Sequence, residues 1–335
     1  MSLVGCAHAN HGPEHMNVVD LAITNLTSPA VLAFALGIVA VWVKSDLRLP
    51  EALYSSLTIY LLLAIGLKGG VELSQADPAA VWRPALAAIT IGVLTPLVLF
   101  PVLRRVLGLS RVDAAALGAH YGSVSVVTFT AAITFLGALG VSYEGFLPTL
   151  LAIMEIPGIV VALAIARSGA AGGGDWKDAV RETLTGRSIV LLAGGLLIGF
   201  LTGPDGMEQV APFFVAPFVG VLVLFLLELG MTAGRRLPDI GRIGFKLIAF
   251  AVATPITLGA AGVAAGTLAG LSLGGSTVMG VLAASASYIA APAAVRVALP
   301  DANPAIYLTA ALAVTFPFNL VAGIPLYYAI AQAIH

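Results

Sequence analysis

The stretch GSVSVVT (Gly122 to Thr128) is matched by SASYIAAP (Ser285 to Pro292), with Ser125 and Ser285 separated by 160 positions. Each stretch is followed at the same distance by a second matching pair, Glu155-Ile-Pro157 in the first half of the chain and Thr315-Phe-Pro317 in the second. A duplication with polar, helix-breaking residues at corresponding points of apolar segments is typical of secondary transporters whose site lies where two repeats meet.

The composition indicates a membrane protein. Hydrophobic residues make up 59% of the 335 residues and charged residues 10%, whereas soluble domains are about 45 to 50% apolar and about 25% charged. Stretches of about 20 apolar residues are long enough to cross a bilayer. We therefore expect an all-α polytopic membrane protein with ten spans, at 29–44, 52–73, 85–103, 112–139, 144–166, 188–203, 213–234, 243–269, 275–297 and 304–334.

Basic residues are distributed very unevenly among the predicted loops. One alternate set of loops contains fourteen Lys and Arg residues, whereas the other set, which includes both termini, contains only Arg83. Cytoplasmic loops carry the excess of Lys and Arg, so both termini are expected outside the cytoplasm, with the protein in the inner (plasma) membrane. The fourteen are Lys44, Arg48, Arg104, Arg105, Arg111, Arg167, Lys177, Arg181, Arg187, Arg235, Arg236, Arg242, Lys246 and Arg296.

Ten spans divide into two inverted repeats. A weaker match at nearly the same offset links IGLKGG (Ile65 to Gly70) with LGMTAG (Leu229 to Gly234). Five spans per repeat is an odd number, so the second copy enters the membrane from the opposite side. The expected organisation is an extracytoplasmic tail at 1–28, a first five-helix repeat at 29–167, a cytoplasmic linker at 168–187 and a second, inverted five-helix repeat at 188–335.

The N-terminal tail contains four residues of a type that can bind a soft metal, namely Cys6, His8, His11 and His15. Their spacing fits no closed zinc pattern. Termini are commonly disordered, and the tail is therefore interpreted as a mobile polar leader, with its role and the identity of any metal left open.

In the fourth predicted span, a flexible glycine, hydroxyl side chains and β-branched residues occur together between Gly122 and Thr128. These residues are weaker helix formers than Ala or Leu, so the helix can open here. The alternative is a continuous helix in which Ser123 and Ser125 bond back to the carbonyl four residues earlier.

The ninth predicted span contains a stronger signal. Pro292 has no amide hydrogen and its ring displaces the carbonyl of Tyr288, which leaves that carbonyl free beside Ser285 and Ser287. Unsatisfied backbone in a membrane survives only where it is buried in protein or lines a wet cavity. The alternative is an ordinary helix with a proline kink.

If both spans are broken, the inverted repeats bring helices four and nine together so that they cross near the midplane. The N-terminal amides of the second halves and the free carbonyls of the first halves then face one point. An anion and a small cation could both be held there without a charged side chain. The expected substrate-binding residues are Gly122, Ser123, Ser125, Thr128, Ser285, Ser287 and Tyr288.

Ionisable residues inside the predicted spans are candidates for ion coupling. A charge in a span costs at least about 2.5 to 3.5 kcal/mol unless it is paired or faces water. At 1.5 Å per residue, Lys68 and Glu155 differ by roughly 9 Å in depth, much of which a lysine side chain can cover. Glu228, near the inner end of the seventh predicted span, is expected to reach toward Arg235 or toward the membrane interface instead. Ion coupling is assigned to Glu155, Lys68 and Thr315.

Other classes of function have little support in the sequence. The chain has no Gly-rich phosphate loop, no paired-His zinc motif and no Gly-x-Ser-x-Gly elbow, so an enzyme is not expected. The net charge of −1 gives no indication of nucleic-acid binding. A passive channel or a membrane enzyme remains as the less favoured alternative.

The chain resembles the SbtA-like sodium-dependent bicarbonate transporter family over nearly its whole length. The resemblance lies in LPEA (Leu49 to Ala52), IGLKGG (Ile65 to Gly70), DAAALGAHYGSVS (Asp113 to Ser125), VSYEG (Val141 to Gly145), MEIPG (Met154 to Gly158), LAASAS (Leu282 to Ser287) and LPDANPAIYL (Leu299 to Leu308). The last of these segments is quite specific.

The resemblance implies a core that moves against a scaffold in an elevator-like way, a homotrimer in the lipid bilayer, and sodium-coupled uptake of bicarbonate without a further cofactor. The chain departs from the family at Tyr288, which replaces an acid. A carboxylate is the natural ligand for sodium, so a proton or a sodium site elsewhere stays open. The alternatives are a proton- or sodium-coupled carrier of another small anion or carboxylate, or a cation/proton antiporter.

Overall fold

The computed structural model describes residues 18–168 and 176–335, which form α-helices and two π-helical segments and no β-strand. Cys6, His8, His11 and His15 lie outside this part of the chain. The π-helical segments are Thr309–Thr315 and Asn319–Gly323. The α-helices are α1 (Val18–Leu26), α2 (Pro29–Trp42), α3 (Glu51–Gln75), α4 (Pro78–Arg105), α5 (Arg111–Gly122), α6 (Val126–Ala138), α7 (Leu147–Met154), α8 (Pro157–Arg167), α9 (Trp176–Thr185), α10 (Arg187–Phe214), α11 (Phe218–Ile243), α12 (Phe245–Leu268), α13 (Leu273–Ala284), α14 (Ala290–Ala298), α15 (Pro304–Leu308), α16 (Phe316–Phe318) and α17 (Ile324–Ile334).

Within the described ranges, eight helical segments are long and apolar enough to cross a membrane. Two shorter apolar helices, α2 and α13, lie where the first and ninth spans were predicted. Each of the ten predicted spans therefore coincides with one helix or with consecutive helices. The chain is a multi-pass, all-helical membrane protein, and the full count of ten crossings stays a prediction.

Three helical segments were not anticipated. The tail predicted at 1–28 includes α1, whose Asn25 side chain donates a buried hydrogen bond of 2.5 Å to the carbonyl of Leu320. The linker predicted at 168–187 includes α9. Helix α10 runs eleven residues past the predicted end of span six, through a kink at Gly203, where φ is 61°. This positive φ suits glycine, which lacks the Cβ that opposes it in other residues.

Helices α3 and α10 approach each other closely through glycines. A Cβ added at Gly66 would lie 2.7 Å from the carbonyl oxygen of Leu192, and one at Gly70 would collide with the carbonyl of Leu196. Pairs of small residues four positions apart allow the backbones of membrane helices to come together in this way. The Gly66 and Gly70 pair thus fixes the α3 and α10 contact.

Helices α2 and α11 also pack closely through a pair of glycines. A Cβ at Gly230 would collide with the carbonyl of Phe34, and one at Gly234 would lie 3.3 Å from the Cα of Ile38. Gly230 and Gly234 belong to LGMTAG, the segment matched with IGLKGG, which contains Gly66 and Gly70. The weaker sequence match between the two halves therefore corresponds to two similar helix contacts.

The half-helices of the two interrupted segments pack crosswise. Helix α6 contacts α13, and α14 contacts α5. Buried side chains of α6 and α13, such as Phe129 and Met279, belong to one apolar cluster, whereas Tyr121 of α5 and Val295 of α14 belong to a second. The two interruptions lie where these clusters meet.

Candidate functional site

The first interruption is short. Helix α5 ends at Gly122 and α6 begins at Val126, with extended backbone at Ser123 and Ser125. The Oγ of Ser125 accepts a hydrogen bond of 3.2 Å from the amide of Thr128, as an N-cap residue does. Ser125 thereby starts the second half-helix, and Thr128, which is buried, contributes its amide to that cap.

The second interruption runs from Ser285 to Ile289, between the end of α13 and the start of α14. The Oγ of Ser287 accepts a hydrogen bond of 3.1 Å from the amide of Ala291. Pro292 lies in the first turn of α14 and not in the middle of a kinked helix. A proline is tolerated in a first turn because the amide there has no partner within the helix.

The two interruptions are in direct contact. The amide of Ser125 donates a hydrogen bond of 2.9 Å to the Oγ of Ser285, and the Oγ of Ser125 donates to the hydroxyl of Tyr288 at 3.2 Å. The amide of Ser287 donates to the carbonyl of His120 at 2.8 Å. These three bonds tie the end of α5 and the start of α6 to the segment between α13 and α14.

Glu155 lies beside the first interruption, in a short break between α7 and α8. Its side chain is buried, and the hydroxyl of Ser123 is shared between its Oε2 and its backbone carbonyl, at 3.1 Å each. No ion pair to Glu155 occurs in residues 18–168 and 176–335. A buried carboxyl group without a cationic partner must hold a proton or bind a cation to avoid a large desolvation cost.

A small cavity separates Glu155 from the second interruption. It has a volume of about 10 Å³ and is lined by Ser125, Glu155, Ser287 and Tyr288 together with three apolar neighbours. This volume is about the minimum that holds one water molecule. The polar groups are therefore packed closely together, and the cavity has no room for a molecule much larger than water.

Gly122 and Thr315 contribute to packing near these polar groups. Gly122 faces the backbone of Gly158, where a side chain on either residue would collide. The Oγ1 of Thr315 donates to the carbonyl of Ala251 at 2.7 Å and accepts from the hydroxyl of Tyr121 at 2.6 Å. Thr315 is the residue that the sequence match pairs with Glu155, but its hydroxyl already has both a donor and an acceptor.

The structure does not bring Lys68 to this site. No ion pair joins Lys68 to Glu155 in the described residues, and Lys68 lies in the wall of a separate cavity. The depth estimate gave the position of Lys68 along its helix but not the direction in which it projects. Glu228 forms an ion pair of 2.9 Å with Arg235, which is one of the two environments expected from the sequence.

Two buried polar residues near the interruptions were missed. The side-chain amide of Asn319 donates a hydrogen bond of 2.9 Å to the carbonyl of Ala284, the last residue of α13, and its Oδ1 accepts from Tyr327 at 2.8 Å. His120 is fully buried, and its Nδ1 donates to the carbonyl of Ala116 at 2.7 Å. A polar amide within an apolar span was the available signal for Asn319.

Polar side chains hold the N-terminal ends of α5 and α13, which are the ends away from the interruptions. Ser272 caps α13, and Glu144 accepts hydrogen bonds from its amide at 2.6 Å and from its hydroxyl at 3.1 Å. Ser110 caps α5, where Asp113 accepts a bond of 2.8 Å from the amide of Asn303. Each half-helix that leads into an interruption is thus held by a segment from the other half of the chain.

The described residues contain no cluster of three or more His, Cys, Asp or Glu side chains that could hold a metal ion. The sequence of residues 29–332 matches the family model of the Na+-dependent bicarbonate transporter superfamily. None of the curated proteins matches the chain significantly.

Proposed function

Because the chain belongs to the Na+-dependent bicarbonate transporter superfamily, we propose that it is a secondary active transporter that takes up bicarbonate together with Na+. The contact between the two interruptions beside Glu155 carries this proposal. Broken membrane helices that meet at one point are the usual place where secondary transporters bind an anion and a coupling ion.

The helix ends at this point have complementary charges. Helices α6 and α14 begin at the interruptions, and their N-terminal amides favour an anion. Helices α5 and α13 end there, and their last carbonyls are suitable ligands for a small cation. Ser123, Ser125, Ser285, Ser287 and Tyr288 add hydroxyl groups that can donate hydrogen bonds to carbonate oxygens.

The movement that opens the site is proposed to be elevator-like, between two inverted repeats. Two similar glycine pairs support a duplicated architecture: Gly66 and Gly70 pack against α10, and Gly230 and Gly234 pack against α2. The serine caps at Ser110 and Ser272 support it as well. The proposal includes a homotrimer in the inner membrane with both termini outside the cytoplasm, in agreement with the distribution of basic residues.

A proton is the second candidate for the coupling ion. Tyr288 has a phenol where the family has an acid, and it accepts a hydrogen bond from Ser125. Glu155 is then the one carboxyl group that lines the small cavity between the interruptions. It forms no ion pair in the described residues. In this second proposal, the protein takes up bicarbonate or another small carboxylate together with a proton.

Uptake of labelled bicarbonate into proteoliposomes distinguishes these possibilities. We expect concentrative uptake when Na+ is higher outside than inside, and only equilibration when the Na+ gradient is removed. Uptake driven by a pH gradient at equal Na+ would identify the proton as the coupling ion. Equilibration under every gradient would indicate a channel and contradict the proposal.

A further inference from the structure

A second cavity lies away from the interruptions. It has a volume of about 370 Å³. It is bounded by α3, α6, the segment before α7, the C-terminal part of α10 and the start of α11. This volume falls within the range of about 300 to 1,000 Å³ that is usual for small-molecule sites. Its lining is apolar except for Lys68, Thr134 and Tyr143.

Lys68 is exposed and has no hydrogen-bond or ion-pair partner in the described part of the chain. Glu72, one helical turn further along α3, lies instead beside Gly145. Burial and the negative charge of Glu72 raise the pKa of the Tyr143 phenol, which places that charge next to Tyr143. Lys68 is the one charged side chain among the residues that line the cavity, and it forms no ion pair in the described residues. A cation beside apolar walls favours an anionic partner.

The cavity is a poor match for a small hydrated anion. None of the residues that line the small polar cavity lines this one, and Phe129, which does, is buried one helical turn after Ser125. An apolar wall offers no hydrogen bonds to replace the water that such an anion would lose.

The surface beside the cavity is suited to hydrocarbon. Phe213, Val215 and Val219 have exposed fractions of 63%, 48% and 48%, and the last two also line the cavity. Lys68 lies seven residues before the end of α3, about 10 Å along the helix. A lysine at this depth can extend toward the membrane interface while its apolar stem stays among the apolar walls.

We propose that this cavity binds one anionic phospholipid per chain, with the acyl chain along Ile65, Phe129, Ile133 and Val219 and the headgroup phosphate on Lys68. The proposal does not depend on which ion drives transport. Its occupant is defined by two features together, a hydrocarbon chain that matches the apolar lining and a negative charge that pairs with the lysine.

Native mass spectrometry of the delipidated full-length protein tests this inference with two probes, phosphatidylglycerol and phosphatidylcholine with identical acyl chains. We expect one retained phosphatidylglycerol per chain, with at least a fivefold preference over phosphatidylcholine. Lys68→Gln should remove the preference. Gly137→Trp should reduce binding of both lipids, because Gly137 lines the cavity and a Cβ there meets no atom within 4 Å.

Matched controls separate the site from general effects. Arg83→Gln removes an exposed positive charge elsewhere, and Gly194→Trp adds the same bulk on α10, where a Cβ also meets no atom within 4 Å. Both should leave the preference unchanged. Gly137→Leu is the smaller filling variant if tryptophan impairs folding.

Three results would overturn the inference. The first is an unchanged lipid preference in Lys68→Gln, and the second is unchanged lipid binding in a folded Gly137 variant. The third is displacement of the lipid by millimolar inorganic phosphate, which would mean that Lys68 binds free phosphate and that the hydrocarbon chain contributes nothing.

Discussion

The amide of Ser125 and the Oγ of Ser285 are joined by a hydrogen bond of 2.9 Å, although the two residues are 160 positions apart. The same Oγ donates to the carbonyl of Leu282 at 2.8 Å, within the last turn of α13. One hydroxyl of the second interruption therefore satisfies a buried amide of the first interruption and a carbonyl of α13. This places both interruptions in a single polar unit.

Replacing Ser285 by alanine should weaken that unit. The Ser285→Ala variant leaves the buried amide of Ser125 without an acceptor, which costs about 1 to 3 kcal/mol. We expect a lower melting temperature in detergent together with reduced bicarbonate affinity in uptake assays.

Thr277→Val is the matched control, because Thr277 is buried in α13, the helix that ends just before Ser285, and its hydroxyl bonds only to the carbonyl of Leu273. It should change uptake little. Equal losses of uptake in the two variants would mean that the bond from Ser125 to Ser285 has no special role.

Both interruptions could be anticipated from local chemistry. Ser125 and Pro292 are residue types that begin helices, and the structure begins α6 and α14 close to them. Pro157 also stands at a helix start, and the same rule applies to it, but it was not used to place a break there. The span predicted at 144–166 therefore includes no break at Glu155.

Contacts between distant segments could not be derived in this way. The bonds from Ser272 to Glu144 and from Asn303 to Asp113 depend on how the two halves are packed, and no local pattern contains that information. Lys68 shows the same limit, because periodicity gives its depth along α3 but not the neighbour it faces. Repeats indicate which segments correspond, whereas side-chain partners require the packing.

Glu155→Gln tests the coupling carboxyl group. Glutamine is nearly isosteric, and its Oε1 can still accept the hydrogen bond from Ser123, so the fold should persist. The variant can neither release a proton nor offer a charged ligand, and bicarbonate uptake should lose its dependence on the Na+ or proton gradient. Uptake in proteoliposomes with and without each gradient measures this.

Glu228→Gln serves as the control for Glu155→Gln. Glu228 is also a mostly buried acid, but its charge is paired with Arg235. Its replacement should leave the gradient dependence intact. Unchanged coupling in Glu155→Gln would assign Glu155 a structural role only.

Ser272→Ala tests whether the cap of α13 positions the site. Loss of a serine N-cap costs about 0.5 to 2 kcal/mol, and here the bond to Glu144 is lost as well. We expect a lower melting temperature and, since α13 leads directly to Ser285, a reduced rate of uptake. Ser28→Ala removes the cap of α2 and should lower stability without lowering uptake per folded protein. The same reduction of uptake in both variants would refute a positioning role.

The last prediction concerns the two ions together. Each half-helix N-terminus at the interruptions stabilises a bound anion by about 0.3 to 2 kcal/mol, which is a modest contribution. Lys68 lies in another cavity and adds no charge here, so a bound cation is the remaining source of strong attraction. A sodium ion close to bicarbonate makes the pair nearly neutral and favours both ions through their mutual attraction.

Sodium should therefore tighten bicarbonate binding, and bicarbonate should tighten sodium binding by the same factor, because linkage makes the coupling free energy reciprocal. Calorimetric titration of each ion at several fixed concentrations of the other measures both factors. In Glu155→Gln the mutual effect should disappear while weak bicarbonate binding persists, since the half-helix amides are unchanged. If the two affinities are independent in the unmodified protein, bicarbonate and sodium do not share this site, and the proton becomes the candidate for the coupling ion.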